Sequence, residues 1–187
     1  DVGNYQITDQ TSATANITTR ALTVNYTGVN RTYDGTKVAT VTTADDRVSG
    51  DVLTIARTAE FADKNVGVGK AVSVSGVSLS GADADNYTVI GTGSTTANIT
   101  PKVLTLSASK TYDGTNSLTG AVRITGLVGN EQLGYRDATS NDVHVATADK
   151  YINHMVITDG ANGGLASNYA LPQLNAANAP VTIGKTP

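Results

Sequence analysis

At 187 residues the chain is long enough for one or two domains, and a net charge of −3 without any basic run excludes the phosphate-neutralising surface that nucleic acid needs. It has no Cys, which removes disulfides and thiolate–metal sites, and no apolar stretch approaches the ~20 residues that span a bilayer. The aromatic residues are eight Tyr and one Phe, with no Trp; Thr, Ser, Gly, Val and Asn are abundant, a composition of strands and turns.

The first segment of note is NYQITDQTSATANITTRALTV, from Asn4 to Val24. It recurs 82 residues later as NYTVIGTGSTTANITPKVLTL, from Asn86, and its start recurs after another 82 at Asn168. A period of this length is a small domain, not one turn of a solenoid. TYDGT occurs at Thr32 to Thr36 and again at Thr111 to Thr115, 79 residues on. The first repeat thus carries three extra residues between Val24 and Thr32, and the second regains them before Asn168. The phase divides the chain into residues 1–17, expected as terminal strand(s) of a preceding repeat, a first repeat at 18–99 and a second at 100–184. The first residue is not Met, and the ending Gly184-Lys185-Thr186-Pro187 lines up with Thr100-Pro101-Lys102, so the chain reads as an excerpt of a longer array.

Along the chain, Leu22, Val24 and Tyr26 alternate with Thr23 and Asn25, the period of a strand. Leu53 and Ile55 do the same, as do Val72 and Val74. The phase then slips at Gly76, so that Val77 and Leu79 continue the buried face; this predicts a β-bulge. Short helical turns are expected near Gly81 to Asn86 and Gly126 to Gln132. Thr100-Pro101-Lys102 predicts a stiff link between repeats, because Pro101 fixes its own φ and restricts Thr100. In the second repeat Leu104/Leu106, Val122/Ile124, Val143/Val145 and Met155/Ile157 suggest strands, and Ala148-Asp149-Lys150 is matched to Ala62-Asp63-Lys64. The expected fold is all-β, two tandem β-sandwich modules of Ig-like Greek-key type. The alternative is a β-grasp-like module with one short helix each.

The signature residues have structural explanations. Tyr33 and Tyr112 supply large half-buried rings with a polar tip. Asp34-Gly35 and Asp113-Gly114 form tight turns, Gly taking positive φ and Asp capping the turn, after which Thr36 and Thr115 restart a strand. Asn86-Tyr87 and Asn168-Tyr169 each close a loop and open a buried strand.

TYDGT, the run FADKNVGVGKAVSVSGVSLSGADADNYTV (Phe61 to Val89) and ITPKVLTL (Ile99 to Leu106) together resemble the YDG-type repeat of large bacterial surface adhesins, the filamentous-haemagglutinin-like exoproteins. The resemblance is close from Thr18 to Thr100. The second repeat keeps YDGT and Asn-Tyr but has DVHVATADKYINHMVITDG where the family shows the ADKNVG-type run. The resemblance implies an exported protein of the bacterial cell surface or biofilm matrix, outer membrane-associated or secreted, with these repeats as part of a stalk.

Other chemistry finds little support. His144 and His154 have no twin in the first repeat and no Cys beside them. Asp45, Asp46 and Asp51 form one acidic loop and Asp83 and Asp85 another; they are the candidates for Ca²⁺, without EF-hand spacing. Lys102 and Lys110 are the candidates for a covalent side-chain crosslink, and Asn16, Asn25, Asn30, Asn86 and Asn98 lie in glycosylation sequons. No catalytic constellation or cofactor motif is present, so an enzyme is not expected. The leading expectation is a structural spacer whose partners are neighbouring repeats of the same chain, with no membrane insertion, the fragment itself being monomeric. The alternative is a module that binds host glycan or matrix polysaccharide, resting on the Tyr and Asn content.

Overall fold

The computed structural model describes residues 2–6, 8–9 and 12–186. The chain is all-β: among the described residues the helical content is the 3-10 turns Val2–Asn4, Ala84–Asn86 and Ala166–Asn168. The first half contains β1 (Arg20–Ala21), β2 (Val24–Gly28), β3 (Arg31–Thr32), β4 (Val41–Asp45), β5 (Thr54–Phe61), β6 (Gly67–Ser80), β7 (Tyr87–Thr88) and β8 (Gly93–Thr100). The second half contains β9 (Lys102–Val103), β10 (Thr105–Thr111), β11 (Val122–Thr125), β12 (Leu133–Ser140), β13 (Ile152–Asp159), β14 (Tyr169–Ala170) and β15 (Val181–Gly184).

The halves share their pairings. Short parallel ladders join β1 to β7 (Arg20 to Tyr87) and β9 to β14 (Lys102 to Tyr169). Parallel ladders also join β3 to β8 (Thr32 to Thr100) and β10 to β15 (Thr111 to Gly184). Gly184 therefore stands where Thr100 stands in the first half. Antiparallel hairpins β5–β6 and β12–β13 complete the pattern. In the first half β6 continues onto β8, giving the sheet order β3-β8-β6-β5. In the second half that contact shrinks to one bridge, Tyr151 to Pro180, held by the Ile152 N–H on the Ala179 carbonyl and the Val181 N–H on the Lys150 carbonyl, both at 2.9 Å.

The alternation read from the sequence places the core. Leu22, Leu53, Ile55, Val72, Val74, Val77, Leu104, Leu106 and Met155 are buried while Thr23, Asn25, Ser73 and Thr105 are exposed. At Gly76 (φ 61°) the ladder skips a residue between Ala56 and Thr58, the bulge that lets Val77 keep facing inward. The three extra residues of the first repeat interrupt one strand. β2 and β3 are separate, with the Asn98 backbone N–H donating to Asn30 Oδ1 at 2.7 Å in the gap, whereas β10 runs unbroken.

Several expectations are corrected. The described part of residues 1–17 has no strand, as a lone segment has no ladder to join. The second repeat's helical turn is at Ala166–Asn168, and Gly126–Gln132 is a turn closed by the Glu131 N–H on the Val128 carbonyl at 3.0 Å. The 3-10 turns Ala84–Asn86 and Ala166–Asn168 are three residues each. Val143 and Val145 are half-buried in a loop. Thr36 and Thr115 do not restart strands; their N–H groups are held by the aspartates two residues earlier. Lys150 corresponds to Lys70, not Lys64. The Asn141 N–H donates to the Tyr151 carbonyl as the Ala62 N–H does to Ala71, so the DVHVATADK loop is matched from its start.

Candidate functional site

The polar centre of the molecule is the joint between the repeats, and it is built from the repeated signature. In TYDGT the Thr36 N–H donates to Asp34 Oδ1 at 2.8 Å, and Gly35 takes φ 79°. In the second copy the Thr115 N–H donates to Asp113 Oδ1 at 2.9 Å, with Gly114 at φ 76°. A cation from the preceding strand clamps each turn. Arg31 pairs with Asp34, donates to the Thr36 carbonyl and lies 5.2 Å from the Phe61 ring centroid. Lys110 Nζ sits 2.6 Å from Asp113 and donates to the Thr115 and Ser117 carbonyls, which uses the lysine considered for a crosslink. Lys110 and the Thr115 N–H hold the Asp113 carboxyl down to about 2.

These turns fix the tyrosine beside them. Tyr33 points across the joint, and its hydroxyl donates to Glu131 Oε1 at 2.7 Å. Tyr169 donates to the other oxygen, Oε2, at 2.6 Å, and accepts the Val128 N–H at 3.0 Å. Lys64 Nζ lies 3.1 Å from Glu131 Oε1 and 5.9 Å from the Tyr33 ring centroid. The two rings meet edge to face, centroids 5.5 Å apart at 79°. Beside them the buried Asn168 accepts the Val66 N–H at 2.9 Å and donates to Asn65 Oδ1 at 3.1 Å. A Cβ on Gly35 would meet Val128 Cγ1 at 2.7 Å, so glycine also permits the close approach of the turn.

A buried carboxylate is tolerated only when its charge is compensated. Burial pushes the Glu131 carboxyl up, but donation from Tyr169, Tyr33 and Lys64 outweighs it and leaves the group below its ordinary value. Burial, then the neighbouring carboxylate, raises Tyr33 and takes Tyr169 to about 12. Glu131 in turn raises Lys64. The centre is thus an ionised carboxylate held by two neutral phenols and an ammonium, a positioning device with both oxygens engaged.

The first repeat has the same acid and tyrosine without the cross-joint partners. Tyr87 donates to Asp51 Oδ2 at 2.5 Å and accepts the Val48 N–H at 2.9 Å, as Tyr169 does with Glu131 and Val128. Of the two TYDGT tyrosines, Tyr33 is 2% exposed and Tyr112 41%, so neither is half-buried as expected from sequence. Glu131, Lys64 and Asn65 were missed in the sequence. The available signal is that VSGD (Val48 to Asp51) and VGNE (Val128 to Glu131) each put an acid after a Gly-containing turn.

Four of the five Ca²⁺ candidates are engaged elsewhere. Asp45 pairs with Arg47 at 2.6 Å, Asp46 takes the Thr23 N–H at 2.8 Å and Arg20, and Asp83 takes the Val52 N–H at 2.8 Å. Asp85 is exposed beside the Asn86 turn. Among the described residues no three His or carboxylate groups converge as metal ligands. His144 pairs with Asp142 at 3.0 Å.

The chain finds no match among curated proteins or solved structures. The family model that matches is that of the YDG domain, over the first of the two repeats. A YDG domain is present at residues 18–97.

Proposed function

We propose that the chain is a structural spacer: two tandem β-sandwich modules of a large secreted or cell-surface bacterial adhesin, holding a binding domain away from the cell and so supporting adhesion or biofilm formation. The observation that carries this reading is the joint. The features that recur in each repeat converge on a contact between repeats, with Glu131 tied to Tyr33 and Lys64 on one side and Tyr169 on the other. A spacer transmits length only if its units are fixed relative to one another. The one-residue passage from β8 to β9 through Pro101 and the compensated carboxylate both restrict that freedom.

The test is small-angle scattering on the chain. Two units of ~80 residues spaced by 35–40 Å predict a radius of gyration of about 22 Å, whereas one compact globule of this length gives about 16 Å. The smaller value sinks the spacer reading.

A further inference from the structure

We propose that the Tyr112 end of this chain docks head to tail onto the Asp51–Tyr87 end of a second copy, repeating the joint that Tyr33 makes with Glu131 and Tyr169. The proposal deepens the spacer reading and rests on it. Each repeat carries both halves of the joint, a tyrosine head beside the Asp-Gly turn and a socket of acid, tyrosine and asparagine. Within the chain one head meets one socket. The other head and the other socket stay open.

The open parts are built like the closed ones. Gly114 holds the same positive φ as Gly35, yet a Cβ there would meet nothing within 4 Å, whereas on Gly35 it would strike Val128. Asn86 ends the same kind of 3-10 turn as Asn168, yet it is exposed while Asn168 is fully buried. Asp51 takes the Tyr87 hydroxyl on Oδ2, and among the described residues no donor reaches Oδ1. In the closed joint Glu131 takes Tyr169 on Oε2, and Oε1 is the oxygen that receives the Tyr33 hydroxyl. The socket thus offers an acceptor where the head brings a donor. Such a contact is heterologous, one surface against a different one, so it extends a row and does not close a dimer.

The second joint is weaker than the first. In the loop matched from Ala62 and Asn141, Val143 replaces Lys64 and His144 replaces Asn65; the His144 N–H on Asp142 Oδ1 at 2.6 Å copies that of Asn65 on Asp63 at 2.8 Å. Docking there keeps the tyrosine–carboxylate–tyrosine centre and loses the ammonium. It therefore depends on the effective concentration that a covalent link supplies.

The experiment links two copies at the natural spacing, Lys185 of the first to Arg20 of the second, in place of Pro101–Lys102. The last Tyr112 is changed to Phe so that the Tyr112 signal comes from the internal copy alone. Tyrosine nitration by tetranitromethane, read by mass spectrometry, is compared with the single chain. A fall in exposure from 41% toward the 2% of Tyr33 predicts at least tenfold slower nitration of Tyr112. Asp51→Ala in the second copy then restores most of the single-chain rate; Asp51→Asn, which keeps the side-chain shape, serves if the alanine variant does not fold. Unchanged nitration overturns the docking. Protection that ignores both Asp51 variants also overturns it, since the socket is then elsewhere. Scattering of the linked protein separates the two readings. An extended particle with a reactive Tyr112 overturns the docking and leaves the spacer standing on the Tyr33–Glu131 joint within each copy. A compact one with an Asp51-dependent, protected Tyr112 leaves the joint and removes the spacer.

Discussion

Replacing Glu131 by Ala removes the one acceptor shared by two buried phenol hydroxyls and by Lys64. Tyr33 and Tyr169 are 2% and 4% exposed, so water reaches their hydroxyls only if the joint opens. Leaving a buried donor unpaired costs ~1–3 kcal/mol, and two such donors put the expected loss at about 2–4 kcal/mol once part is recovered by relaxation. That is a large share of the ~5–15 kcal/mol that holds a domain of this size together. The structure supplies its own control in Asp51, which receives a single tyrosine hydroxyl and is only half-buried. Asp51→Ala is expected to cost about 1 kcal/mol. Urea unfolding of both variants, with unchanged m-values as the check on two-state behaviour, reads the difference. Equal losses for the two variants, or a loss below about 1 kcal/mol for Glu131→Ala, would refute the claim that the joint is formed and buried in solution.

Further outcomes are expected. With Tyr169 raised from 10 to about 12, its contribution is complete below pH 10 and lost as pH rises toward 12, on the order of 2–3 kcal/mol; alkaline melts should lose this slope in Tyr169→Phe. Glu131 is depressed, so its contribution is present above the ordinary carboxylate range and fades as pH falls through the native value; Glu131→Gln should flatten the acid limb of the melting curve, and an unchanged limb would count against an ionised centre. Gly35→Ala and Gly114→Ala carry the same positive-φ strain of ~1 kcal/mol, but only the former meets Val128, so calorimetry should find Gly35→Ala the more damaging. Since the acidic-loop carboxylates pair with other partners, excess Ca²⁺ or EDTA should move the melting temperature by less than about 1 °C; a shift of several degrees would show a site these contacts do not predict.

The sequence by itself determined the all-β class, because composition and two-residue alternation reflect which face of a strand meets water. It determined the Asp-Gly turns too, since a capping carboxylate and a positive φ are local requirements satisfied within a few residues. The bulge at Gly76 was legible for the same reason. Only the tertiary structure decided what the signature tyrosines do. Tyr33 and Tyr112 have the same neighbours in the chain, and one is buried while the other is exposed, because burial depends on whether another repeat stands opposite. Glu131 was invisible as a site, since its partners Tyr33 and Lys64 lie 98 and 67 residues away and no local pattern encodes such a pairing. The match of Lys150 to Lys64 failed on the same ground. Short strings align by letters, whereas loops align by the backbone hydrogen bonds at their ends, and those exist only once the strands have paired.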